Sequence, residues 1–376
     1  MRIALISNEP PPYRIPVFKL IAQEPGVELL VIFCCRREPN RLWDLPPFEF
    51  PHTFLKERIV TRHGRYIHNN PDVISVLRRY SPDVVVTDGF NPTHLYAFAY
   101  AAMMRRAHVA MTDGTDQSEK SLSIVHRTVR RIVYARSHAY VAASEGGYRL
   151  FRQYGVDADD VFKSCLCIDN SKFRNSASNS TFEDKRFDFM FSGRLEDVKN
   201  PLFAIDVAVG ASKLLLRRVS ILFAGSGSMD NAVKAYAAAR TQWIDASFHG
   251  FAAQSELPFL YQSARIFLFP TLWDPWGVVA NEACAASLPV IVSPNAGVAG
   301  ELVRDRQNGF VCSLDADVWA ANATALLSDP KLYRRFSDAS GEAVLDYTYR
   351  SAADGLINAC RHAARTPLSV MRMAGE

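Results

Sequence analysis

The chain reads as an α/β protein built from two doubly wound, Rossmann-like domains. Three observations carry this. Short runs rich in β-branched and aromatic residues alternate with helix-sized amphipathic stretches along the whole chain. Those runs are apolar on both faces, as parallel strands covered by helices on both sides must be. The chain has 376 residues, 48% hydrophobic and 22% charged, enough for two domains at roughly 150 residues each.

In the first half the strands are "RIALIS" (2–7), "VELLVIF" (27–33), "DVVVTDG" (83–89), "HVAMTDG" (108–114) and "AYVAAS" (139–144), spaced as βαβ units require. The stretch 165–186, "CLCIDNSKFRNSASNSTFEDKR", turns abruptly rich in Ser and Asn and reads as a linker. The α/β pattern then restarts with "FDFMFSG" (187–193), "SILFAGSG" (220–227), "IFLFPTL" (266–272) and "PVIVSP" (289–294). The expected organisation is an N-terminal domain over 1–168, a linker over 169–186, a C-terminal domain over 187–350, and a helix and tail over 351–376 that pack back on the first domain. Two facing domains of this kind leave a ligand cleft at the C-terminal ends of their strands.

Composition excludes a disordered chain or a coiled-coil polymer. The formal net charge is +4, with 22 Lys/Arg against 18 Asp/Glu in residues 1–170 and 21 against 21 in the rest. That excess favours anionic phosphates or lipid headgroups but is far below the basic density of a nucleic-acid binder. The 7 cysteines lack the paired spacing of a zinc site or a disulfide framework, which fits plain thiols in a reducing compartment. The opening "MRIALIS" is too brief for a signal peptide, and no segment approaches ~18 uninterrupted apolar residues. A cytoplasmic protein is expected, with peripheral contact to the cytoplasmic face of a membrane as a further option.

Two constellations carry chemistry. "FSGRLEDVKNP" (191–201) puts Gly193, Arg194 and Lys199 in a turn between a strand and a helix, with Asn200 as the expected cap and Pro201 in the first turn. Helix amides and two cations suit a diphosphate: Arg194 can grip two oxygens and Lys199 supplies a point charge. The alternative is a solvated loop with two surface cations. "TLWDPWGVVANEACAASLPVIVSP" (271–294) places Asp274 in a loop and Glu282 about two turns into the following helix. A carboxylate can bind a sugar diol, and free amides around Gly277 and Val278 can hold phosphate oxygens. Equally, Asp274 before Pro275 can simply cap the helix, and Glu282 can lie on a solvated face.

The first half offers fewer signals. In "SNEPPPYRIP" (7–16) three prolines stiffen the loop after the first strand, so that Tyr13 and Arg14 either meet a saccharide or pyrophosphate-linked acceptor or hold the loop together. "MTDGTDQSEK" (111–120) offers Asp113 and Asp116 for sugar hydroxyls, with an Asp-Gly turn as the simpler account. Within "SLSIVHRTVRRIVYARSHAY" (121–140), helical spacing separates Arg127, Arg130 and Arg131 from much of the aliphatic set. An amphipathic core helix is the favoured explanation, and contact with an anionic bilayer the alternative. "DADD" (157–160) and "DAD" (315–317) read as turn and cap rather than metal ligands. His63, His68, His94, His108, His126 and His138 show no ligand spacing, so no essential metal is expected.

"GRLEDVKNP" followed by "DPWGVVANEACAASLPVI" resembles the family 4 glycosyltransferases of the two-domain GT-B fold. "CIDNSKF" (167–173), "FAGSGSM", "FHGF" (248–251) and "GELVRDRQNGFVC" (300–312, with Glu301) extend the resemblance over most of residues 139–345. "PPYR" resembles a subset of the same family. The resemblance implies a retaining, metal-independent hexosyltransferase without a cofactor, acting in polysaccharide or glycoconjugate assembly. Its cosubstrate would be a nucleotide diphosphate sugar, UDP-linked before GDP-linked, and its acceptor a sugar or lipid-linked saccharide. It implies that Arg194 and Lys199 bind the diphosphate, that Glu282 holds the ribose, and that Asp274 stands near the transferred sugar where the family usually has Glu. Gly193, Gly225, Gly227, Phe251, Pro275, Trp276, Gly277 and Val278 would complete the donor site, and Tyr13, Arg14, Asp113 and Asp116 the acceptor side. A nucleotide-sugar epimerase and a noncatalytic nucleotide-sugar-binding protein are the competing readings.

Overall fold

The structure is a computed structural model and describes residues 1–39, 45, 47–62, 65–177 and 182–366. It divides into two compact units, Met1–Leu166 with the stretch from Tyr349 onward, and Cys167–Thr348.

The first unit runs β1 (Arg2–Ser7), α1 (Ile15–Ala22), β2 (Glu28–Phe33), β3 (His52–Phe54), β4 (Ile59–Arg62), β5 (Arg65–His68), α2 (Val73–Tyr80), β6 (Val84–Thr87), α3 (Pro92–Met103), β7 (Ala107–Thr112), α4 (Ile124–Tyr134), β8 (Ala139–Ala142), α5 (Glu145–Gln153) and β9 (Val161–Lys163). Among the described residues its main sheet has the order β3-β2-β1-β6-β7-β8-β9, with every neighbouring pair parallel. The antiparallel hairpin β4–β5 stands apart from it. Runs such as Ala4, Ile6, Ile32 and Val85 pack under Leu77 and Tyr100 of α2 and α3, so the central strands are apolar on both faces because helices cover both.

The second unit runs α6 (Asn170–Ala177), β10 (Phe187–Ser192), α7 (Pro201–Leu215), β11 (Val219–Ala224), α8 (Asp230–Ala238), β12 (Ile244–Gly250), α9 (Leu257–Gln262), β13 (Ala264–Phe269), α10 (Val278–Ala285), β14 (Val290–Val292), β15 (Gly309–Val311), α11 (Ala316–Ser328) and α12 (Pro330–Ala343). Its sheet is likewise all parallel, in the order β12-β11-β10-β13-β14-β15. Phe189, Phe191, Ile221 and Phe223 form the centre of its core, closed by Ile205 and Ala208 of α7 and Trp319 of α11.

The last described helix, α13 (Tyr349–Arg365), returns to the first unit and lies on α1, β8 and β9. Gly355 permits this close approach, since a Cβ there would stand 1.7 Å from the Lys163 carbonyl oxygen. Arg350 and Arg361 both pair with Glu24, at 3.2 and 2.9 Å. Residues 367–376, the tail of the expected C-terminal segment, lie outside the described residues, as does His63.

The stretch whose composition suggests a linker is different in the structure. Cys165, Leu166, Cys167, Ile168 and Phe173 are buried, and Asn170–Ala177 form α6, packed on α9 and α10. The Ser/Asn-rich average conceals four consecutive apolar residues and one phenylalanine that are enough to dock the segment. Residues 178–181 of that stretch lie outside the described residues.

Candidate functional site

In the second unit β10 is the first strand of the sheet; β11 and β12 are added on one side and β13 to β15 on the other. The winding therefore reverses between β10 and β13, where the loops leaving two adjacent strands part and doubly wound sheets take their ligands. The loop after β10 carries Gly193, Arg194 and Lys199, and the loop after β13 carries Asp274 and leads into α10. The two loops are joined. Val198 O accepts from Leu272 N at 2.8 Å and from Thr271 Oγ1 at 2.9 Å, and Lys199 Nζ donates to Asp274 Oδ2 at 2.5 Å. Arg194, in the loop after β10, is exposed.

Local geometry departs from the expected caps. Asn200 makes no side-chain cap; it is left-handed, with φ of 57°, and turns the chain from the short helical turn Asp197–Lys199 into α7, with Pro201 in first position. Asparagine tolerates that conformation better than most residues. Nor does Asp274 start α10. Its Oδ1 accepts from Trp276 N at 3.0 Å, and the helix begins only at Val278, after Gly277 at φ of 104°. Glu282 is consequently little more than one turn into α10 rather than two. No side chain caps α10, which leaves first-turn amides of the kind that bind anions.

Glu282 is buried, 7% exposed, and does not lie on a solvated face. Its Oε2 accepts from Tyr261 Oη of α9 at 2.7 Å, and Ser192, the last residue of β10, hydrogen-bonds to the same tyrosine. Burial pushes the Glu282 carboxyl up to about 7, against the opposing pull of the Tyr261 hydrogen bond. The group thus titrates near neutrality and gains from hydroxyl donors that stabilise its charged form.

The glycines keep the loops close. A Cβ on Gly225 would stand 1.9 Å from Gly193 O, and one on Gly227 2.4 Å from Leu195 O, where Gly193 N bonds Ala224 O and Leu195 N bonds Ser226 O. On Gly277 a Cβ would meet the Phe269 ring at 2.2 Å. Phe251 follows β12 and is 59% exposed, a flat apolar face at the sheet's C-terminal edge. Pro275 and Val278 are partly exposed, whereas Trp276 is buried, bonded through Nε1 to Asn281 Oδ1 at 2.8 Å and set against Tyr347 with ring centres 5.5 Å apart. Trp276 supports the loop from beneath. Tyr347 also donates to Glu301 Oε1 at 3.3 Å. Tyr261 and Ser192 escape sequence reasoning, because nothing in "ELPFLYQS" marks one tyrosine as the partner of a carboxylate twenty-one residues later.

In the first unit Arg14 is buried and donates to Asp113 Oδ1 at 2.8 Å, Ser164 Oγ at 2.9 Å and Ser164 O at 3.2 Å. It holds the proline loop to the ends of β7 and β9. Tyr13 beside it is partly exposed. Asp116 pairs with Arg149 at 3.1 Å. Asp157 and Asp315 accept from backbone amides two residues on, as turn and helix caps. His68 pairs with Glu38 and His94 with Asp88, both at 2.9 Å, and all seven cysteines are free thiols.

Residues 172–342 match the family model described as glycosyl transferases group 1. The D-inositol 3-phosphate glycosyltransferase of Arthrobacter is 30% identical over 39% of this chain and 35% of its own length. That of Rhodococcus opacus is 26% identical over 61% of this chain and 54% of its own. These matches span about a third to a half of the curated relatives. Among solved structures, Anabaena HepE in complex with UDP aligns over 95% of this chain and 99% of its own at a TM-score of 0.74 and 15% identity. A Rickettsia africae glycosyltransferase aligns over 97% and 99% at 0.72 and 16%. The chain has the GT-B fold, and its residues 172–342 bear the pattern of the group 1 glycosyl transferases.

Proposed function

We propose that the chain is a retaining, metal-independent glycosyltransferase of family 4 that moves a hexosyl group from a nucleotide diphosphate sugar to a saccharide or lipid-linked saccharide in polysaccharide or glycoconjugate assembly. The observation that carries this reading is the junction at the switch point: Lys199 paired with Asp274 in the loop that leads to the uncapped start of α10, Arg194 exposed in the loop after β10, and Glu282 buried in α10. Cations and first-turn amides stabilise the diphosphate as its charge grows in the transition state, which is where preorganised dipoles act most strongly. Glu282, ionised, accepts from the ribose diol; Asp274 stands next to the hexose.

The acceptor oxygen bonds the anomeric carbon on the face from which the diphosphate departs. The anomeric carbon–oxygen bond breaks, and the acceptor's proton passes to a departing phosphate oxygen. No side chain is needed as base. The UDP in the HepE complex favours a UDP-linked donor over a GDP-linked one. Among the described residues no helix is long and apolar enough to cross a membrane, and the enzyme is proposed to act in the cytoplasm.

Product analysis with a panel of nucleotide sugars tests it. Nucleoside diphosphate released in step with acceptor glycosylation supports the transferase. Conversion of the donor sugar without any acceptor would make the protein an epimerase, and donor binding without turnover would make it a sensor.

A further inference from the structure

Helix α4 of the first unit is held by its inner side only. Val133 and Tyr134 are buried, Tyr134 packs edge-on against Phe90, Phe151 and Tyr154, and Arg130 spans from Glu119 at 3.1 Å to the Phe90 ring at 4.4 Å. Val129 packs partly buried against the same cluster, and the other three aliphatic residues point away from the core. Ile124 is 81% exposed, Val125 70% and Ile132 47%.

At about 100° per residue, Ile124, Thr128, Ile132 and Val125 fall on one continuous stripe. Arg127 and Arg131 border it on one side and Arg136, just past the helix end, on the other, all three exposed. The sequence from Lys120 to Ser144 contains no Asp or Glu. The outward face is therefore a mainly apolar strip flanked by Arg127 and Arg131 on one side and Arg136 on the other, the pattern of a helix lying in a lipid interface. An ordinary solvated helix carries both signs of charge on such a face, and an ordinary core helix buries these isoleucines.

We infer that α4 docks the first unit on an anionic lipid bilayer, with Ile124, Val125 and Ile132 in the acyl boundary and Arg131 and Arg136 on lipid phosphates. Charge decides between occupants. Two copies meeting face to face would bring the same arginines together, whereas phosphatidylglycerol-like headgroups neutralise them. The first turn of α4 follows the loop leaving β7, so the surface adjoins the C-terminal edge of the sheet, where Asp113 stands. A lipid-linked acceptor would be presented at that edge; for the acceptor, not for the surface, the inference rests on the function proposed above.

The test is co-sedimentation of the full chain with phosphatidylcholine vesicles, with and without phosphatidylglycerol, at low and high salt. Ile124→Asp/Val125→Asp and Arg131→Glu/Arg136→Glu are measured beside the wild type. Binding should require the anionic lipid, weaken with salt, and fall more than about tenfold in each double variant. The thermal shift given by UDP should stay unchanged in every form, which shows that the variants are folded. Wild-type protein left in the supernatant, or variants that bind as well as wild type, would overturn the inference. So would a dimer in the ultracentrifuge that the same substitutions dissociate. Absence of any UDP shift in the wild type would count against the donor site alone.

Discussion

Lys199 Nζ lies 2.5 Å from Asp274 Oδ2, the two residues brought together by loops from neighbouring strands β10 and β13. Their side chains are 19% and 13% exposed, so the pair is largely withdrawn from water. An aspartate whose other oxygen is held by Trp276 N is thus the partner of the lysine proposed to hold the diphosphate. In the proposed complex its charge competes with that ligand. Asp274→Asn should tighten binding of a nucleoside diphosphate by about threefold to tenfold. Sugar transfer should fall, because Lys199 is no longer oriented and the hexose loses a carboxylate. Calorimetric titration and turnover read the two effects separately; weaker binding of the bare diphosphate would show that Asp274 does not oppose it.

Glu282 gives a pH dependence of known sign. In the proposed complex a ribose diol donates to the ionised carboxylate, and burial holds the carboxyl at about 7. Affinity for a nucleotide sugar, whose phosphodiester does not titrate in this range, should rise with pH through about 7 and then level off. In Glu282→Gln the profile should be flat.

The same group bears on stability. Its pKa in the folded protein is raised above the ordinary 4.5. Its contribution is therefore fully present below that value and is lost as pH rises through about 7, a change on the order of 3 kcal/mol. Urea unfolding at about pH 5 and about pH 8 should show this loss in the wild type and little of it in Glu282→Gln.

Glycines at the ends of β11 and β12 should differ sharply. Gly225→Ala forces a Cβ against the Gly193 carbonyl oxygen and should cost more than about 3 kcal/mol, with loss of donor binding. Gly250, at φ of 81°, has nothing within 4 Å of where a Cβ would stand, so Gly250→Ala should cost only about 1 kcal/mol. Melting curves of both variants make the comparison.

Phe251 is exposed without being part of the core. If it stacks on the base, Phe251→Ala should weaken nucleoside diphosphate binding by about 1 kcal/mol at unchanged melting temperature, and Phe251→Trp should retain it. Arg14→Ala should do the reverse. It strands Asp113 and Ser164 and should cost about 3 kcal/mol of stability, with no effect on donor binding.

The sheets are legible in the sequence and the connections much less so. Strands such as "RIALIS" and "FDFMFSG" are read easily because a parallel strand buried on both faces is a bare apolar run. The short edge strands β3 and β9 carry no such run. In the site, the spacing of Lys199, Asp274 and Glu282 marks them as candidates. That Asp274 ties to Lys199 rather than capping α10 depends on how two loops close over 75 residues of chain. Tyr261 comes from a third element and Ser192 from a strand end, and only the fold brings them to Glu282. The "PPYR" loop shows the converse. Its sequence offers Arg14 to a ligand, but tertiary packing buries the side chain against Ser164.

All of this turns on a nucleotide's pyrophosphate being held where β10 and β13 part. The decisive experiment is titration of UDP into wild-type protein and into Arg194→Ala/Lys199→Ala, each checked for an unchanged melting temperature without ligand. Micromolar-range binding by the wild type is expected, with a loss of at least about a hundredfold in the variant, since charged donors to phosphate each contribute more than about 1.4 kcal/mol. Equal affinities in two folded proteins would refute the pyrophosphate clamp.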